Sequence, residues 1–126
     1  EAINIAVSQY NNCRYCQSAH TAIGKMNGFT EEQILELRKG SASFDNKLDV
    51  IVKFALSIVA NNGNATEESK NDFFAVGYTE ANMIDVVMVV GEKIIRNYFH
   101  NLSRDEIDFP LAQDLYPSLN LLYLLD

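Results

Sequence analysis

The chain has 126 residues, and its 10 Lys and Arg against 17 Asp and Glu give a formal net charge of −7. That balance lacks the clustered basic surface needed to bind a phosphate backbone and argues against nucleic acid as a partner. Apolar residues make up 48% of the sequence, enough for one real core and a single domain over 1–126. No uninterrupted apolar stretch approaches the ~18 to 20 residues of a membrane span, so a soluble protein with no membrane partner is expected.

Residues Glu1 to Tyr10 place Ile3, Val7 and Tyr10, with Ala2 and Ala6, at helical spacing, which predicts a helix or the end of one that began upstream. The chain opens on Glu1 without an initiator Met or a charged-then-apolar leader, so it reads as a fragment or a processed form, with an upstream signal left open. Asn11-Asn12 interrupts this helix. Asn12 is expected to cap a second helix running from Cys13, in its first turn, to about Met26, with Asn27-Gly28 as the stop. Thr30 and Gln33 make a capping box for a short helix to Lys39, ended by Gly40.

Asp45 can cap the next helix, where Leu48, Ile51, Val52, Ala55, Leu56, Ile58 and Val59 form a broad apolar face before Asn61-Asn62-Gly63. Thr66 with Glu67 and Glu68 starts another helix, its acids suited to the helix dipole, and Gly77 closes it. Thr79 caps the last long helix. From Met83 to Ile95 that helix is apolar on nearly every side, which predicts a place at the centre of the core or against another subunit. Val86 to Val90 could pass for a buried strand, yet only Gly91 interrupts Thr79 to Phe99, which favours helix. The expected fold class is all-α, a bundle of about six helices. After His100 the chain turns irregular around Asp105, Asp108 and Pro110. Its apolar tail from Leu119 to Leu125 is expected to pack on the core or on a neighbouring subunit.

The chemistry concentrates in Cys13-Arg14-Tyr15-Cys16-Gln17-Ser18-Ala19-His20, which holds both cysteines and one of the two histidines. Residues three and four apart share a helix face, so Cys13, Cys16 and His20 form one stripe with a base one turn from Cys16. A free thiol has a pKa near ~8.5 and needs a local reason to ionise. The helix dipole favours a thiolate at Cys13, and the nearby imidazole favours one at Cys16. The pair can also close a short disulfide.

Two cysteines do not make a secreted disulfide framework. They point to catalysis or metal binding in a reducing, cytoplasmic setting. Beside the redox reading stand two others. One makes the cysteines small buried hydrophobes and His20 a core histidine, in a silent oligomeric scaffold. The other is a metal-binding module, for which the sequence offers no convincing fourth ligand. His100 has nothing in the sequence to pair it with the thiols, and on the residues alone Glu1 reads as a solvated terminus.

Cys13-x-x-Cys16-x-x-x-His20, followed by Thr21 and the Gly28-Phe29-Thr30-Glu31 connector, resembles the AhpD-like alkylhydroperoxidase branch of the carboxymuconolactone decarboxylase family. The likeness takes in Ile5-Ala6-Val7-Ser8 before the cysteines, the helix around Thr30 to Arg38 and the core helix from Tyr78 to Phe99, roughly residues 1–102. It leaves 103–126 as a C-terminal extension, expected at an interface.

The resemblance implies an all-helical domain assembling as trimers or hexamers through helical interfaces. It implies a peroxidase whose dithiol reduces peroxide and is re-reduced by a dithiol partner such as a lipoyl-bearing protein, with no cofactor and no metal beyond the Cys13–Cys16 pair. The same likeness assigns Cys16 as the attacking thiol, Cys13 as the resolving one, and His20 with Glu1 as the proton relay. Where the best-studied branch has a second histidine between the cysteines, this chain has Tyr15, which leaves room for a general disulfide reductase or a redox sensor. Lactone decarboxylation is not implied, since that branch generally lacks the Cys pair.

Overall fold

The computed structural model describes residues 1–115, and among them are six helices and no strands. They are α1 (Ala2–Tyr10), α2 (Arg14–Met26), α3 (Glu31–Arg38), α4 (Asn46–Ala60), α5 (Glu67–Ala75) and α6 (Glu80–Ser103). The all-α expectation holds, and the capping chemistry read from the sequence explains most of the boundaries. Thr30 with Gln33 forms a full capping box, as does Thr79 with Asn82, while Asp45 and Thr66 each accept a backbone N–H from the first turn of their helices. The apolar tail from Leu119 lies outside the described residues.

One cap differs from expectation. Asn12 sits in the left-handed region at φ 52°, a conformation that Asn tolerates better than most residues and that turns the chain out of α1. Cys13 takes the cap instead. Its backbone is extended, and its Sγ accepts the N–H of Cys16 at 3.2 Å. The first cysteine therefore closes the end of α2 rather than lying within its first turn.

The centre of the bundle is α1, which packs against α2, α3, α4 and α6. Its sequence accounts for this: Ala2, Ile3, Ile5, Ala6, Val7 and Ser8 are all buried, and the alanines let neighbouring helices approach closely. One side joins Ile3 and Val7 to Phe54, Phe73, Val86 and Val90, and the other joins Ile5 and Ala6 to Ile34, Leu37 and Val52. Phe73 stacks between Phe54 and Tyr78, with ring centroids 4.5 and 4.7 Å away, and ties α5 to α4.

Of the two places its composition allowed, the last long helix does not take the centre of the core. Only Val86, Val90, Lys93 and Asn97 are buried, along a single stripe. Ile84, Val87, Met88, Ile95, Phe99 and Leu102 are exposed. The buried stripe is half polar because it meets the polar end of α1: Asn97 donates to Ser8 Oγ at 3.2 Å and accepts from Asn11 Nδ2 at 3.0 Å. Beyond α6 the chain reverses at Arg104, also left-handed, and runs back along α2. There Asp108 accepts from Tyr15 Oη at 2.9 Å, and the Ala112 N–H reaches Ser18 Oγ at 3.0 Å.

Candidate functional site

Cys13 and Cys16 are joined as a disulfide across the start of α2, with Cα atoms 5.2 Å apart. Cys13 is fully enclosed, whereas Cys16, itself mostly buried, contributes to the wall of a cleft of about 530 Å³ between α2 and α6. The same cleft is lined by His20 one turn further along α2, by Lys93 and His100 on α6, and by Tyr15 and Phe109. The one-face spacing of Cys16 and His20 is thus realised, and Cys13 lies behind it.

Glu1, dismissed by its position alone, is part of this arrangement. Its Oε1 lies 2.5 Å from His20 Nδ1, with side chains only 15% and 11% exposed, and its other oxygen accepts from Asn4 at 3.2 Å. Burial pushes the Glu1 carboxyl up, but the hydrogen bond and charge of His20 and the bond from Asn4 outweigh it and leave the carboxyl below its ordinary value. The group that recruits it is α1 itself: packed at the centre, the helix aims its first residue at α2.

Lys93 was missed entirely. It is buried in the middle of α6, and its Nζ lies 2.6 Å from His20 Nε2. His20 is therefore engaged at both ring nitrogens. With Glu1 ionised and Lys93 charged, both contacts are satisfied only if the ring proton sits on Nδ1 and Nε2 accepts from the ammonium. Burial draws the Lys93 pKa down, opposed by the negative charges of Glu92 and Glu1 and assisted by Arg96.

His100 also belongs to the cleft, contrary to its omission from the sequence-based site. Its ring stacks on Tyr15 with centroids 4.2 Å apart and planes 11° from parallel. Tyr15 is held by Asp108, whose hydrogen bond and charge push the phenol pKa up. A signal for the missed residues existed. Lys93, Arg96 and His100 recur at spacings of three and four inside an otherwise apolar helix, which puts three basic groups on one face.

Among the described residues no three His, Cys, Asp or Glu side chains converge so as to hold a metal ion, and no helix is long and apolar enough to cross a membrane. Residues 1–48 match the model of the carboxymuconolactone decarboxylase family, of which the AhpD-like branch is part. No curated protein matches the chain. The matched segment spans α1 to the start of α4 and so carries Glu1, Cys13, Cys16 and His20. Lys93 and His100 come from outside it.

Proposed function

We propose that this helical protein, whose first three helices are of carboxymuconolactone decarboxylase type, is a thiol-dependent peroxidase working through a dithiol–disulfide cycle. The observation that carries the reading is a Cys-x-x-Cys pair with one cysteine on a cleft and the other enclosed, and His20 one turn along the same helix, paired with Glu1 from α1. In the reduced protein the Glu1–His20 relay draws the proton from Cys16. The thiolate sulfur attacks one peroxide oxygen, the O–O bond breaks, and the departing alkoxide or hydroxide is protonated. Cys16 becomes a sulfenic acid. Cys13 then displaces its hydroxyl as water and closes the disulfide, which an external dithiol such as a lipoyl-bearing protein re-reduces.

Cytoplasmic location and assembly as trimers or hexamers belong to the same reading. The assembly is supported by the apolar face that α6 leaves exposed. A dithiol exchanging with protein disulfides, as a general reductase or redox sensor, is the second reading. It is favoured by Tyr15, whose phenol holds its proton against Asp108 and so does not replace a relay histidine.

Stopped-flow mixing of reduced protein with hydrogen peroxide and with an alkyl hydroperoxide tests the first reading. Cys13→Ser should still form sulfenate and Cys16→Ser should not. Sulfenate forming in Cys16→Ser at the parent rate reverses the roles, and thiols no faster than free cysteine end the peroxidase reading.

A further inference from the structure

A buried lysine amine that no motif accounts for stands in the cleft wall beside Cys16. Lys93 is only 3% exposed, and its Nζ caps His20 Nε2 at 2.6 Å. The other ring nitrogen is already committed to Glu1 Oε1 at 2.5 Å. Both ring nitrogens of His20 are therefore engaged, and Lys93, His20 and Cys16 line the same cleft.

We propose that Lys93 is the cationic partner of the Cys16 thiolate, held in place by His20 and Glu1. This rests on the dithiol reading above and assigns the residue that stabilises its thiolate. In the step, the Cys16 S–H bond breaks, its proton leaves through the Glu1–His20 relay of that reading, and the sulfur keeps the electron pair beside the Lys93 ammonium. No oxidant or reductant is consumed. The ammonium is held by His20 Nε2, the imidazole being polarised by the Glu1 carboxylate, and its charge favours the thiolate.

The groups facing Lys93 come from three helices. His20 on α2 and Glu1 on α1 lie on one side of it, Glu92 and Arg96 flank it on α6, and His100 and Tyr15 also line the cleft. Arg96 is already paired with Glu92. Burial lowers the Lys93 pKa, whereas a neighbouring thiolate favours the ammonium, so the amine and the thiolate stabilise each other's charged form.

The test reads the thiol directly. In a Cys13→Ser background, where the serine hydroxyl can keep the helix cap, the single thiol Cys16 is alkylated with iodoacetamide between pH 5 and 10. The proposal expects Lys93→Met and Lys93→Gln to slow alkylation at pH 7 by about tenfold, the effect of raising a thiol pKa by one unit. Lys93→Arg, which keeps the charge, should restore most of the rate. Folding of each variant is checked by helical circular dichroism. A parent-like pH profile in whichever uncharged variant folds overturns the proposal, as does Arg behaving like Met.

Peroxide is absent from this assay, so the two ideas fail separately. A shifted thiol titration without peroxide turnover removes the peroxidase reading alone. Turnover with an unshifted titration removes only the role of Lys93.

Discussion

Replacing Glu1 with Gln removes the charge from the His20 contact while keeping its shape. The Glu1 and His20 side chains are 15% and 11% exposed, so water screens their 2.5 Å contact little. A hydrogen bond to a charged group contributes roughly 1.5–3 kcal/mol against about 1 for a neutral one, so Glu1→Gln should cost about 1–2 kcal/mol at pH 7.

The pH dependence has a definite sign. The Glu1 carboxyl titrates below its ordinary value of 4.5 in the folded protein, so its contribution is complete above that value and is lost as pH falls through the lower folded pKa. Urea unfolding of parent and variant at pH 7, 5 and 3 measures this. The gap in stability should be full at pH 7 and nearly full at pH 5, then closing at pH 3. Other lowered carboxyls such as Asp49 and Glu36 titrate in both proteins and cancel in the difference. A gap that is unchanged at pH 3, or absent at pH 7, refutes the charged pair.

Phe73→Ala should destabilise by about 3–5 kcal/mol in chemical unfolding, because the ring is fully buried between Phe54 and Tyr78 and its loss leaves a cavity joining α4 and α5. At Gly24 the sign depends on packing. A new Cβ would lie 3.0 Å from Ile5 Cδ1 and 3.3 Å from Ile34 Cδ1. Crowding costs about 1–3 kcal/mol against a helix gain of about 1, so Gly24→Ala should lower the melting temperature slightly or leave it unchanged, and a clear rise would contradict the tight α1–α2–α3 junction. Asp108→Asn should bring the Tyr15 phenol down towards its ordinary pKa of 10.0, read as a tyrosinate titration by ultraviolet difference against Tyr15→Phe in the same background. An unshifted curve would mean that Asp108 does not govern that phenol.

Helix existence was legible because it rests on local signals. Thr30, Asp45, Thr66 and Thr79 satisfy backbone N–H groups within their own first turns, and no distant residue alters that. The Asn12 cap failed for a local reason as well. Two consecutive candidates compete at a helix start, and the backbone angle of Asn12, not its side-chain chemistry, handed the position to Cys13. Composition left the place of α6 open between the core and an interface. An apolar helix and a buried helix look alike in sequence, and only the bundle shows that α1 occupies the centre while Ile84, Met88 and Ile95 face outward.

The site divides along the same line. Cys13, Cys16 and His20 lie on one stretch of one helix, so their spacing alone determines that they meet. Glu1 was recovered through resemblance, not through any local rule. Lys93 and His100 stand 73 and 80 positions from His20 in the chain, and what brings them to the dithiol is the packing of α6 against α1 and α2. Local hydrogen bonding and periodicity act over a few residues and can be read in order. Which buried amine faces which imidazole is decided by the assembly of three helices, because packing brings together side chains that no local interaction along the chain connects.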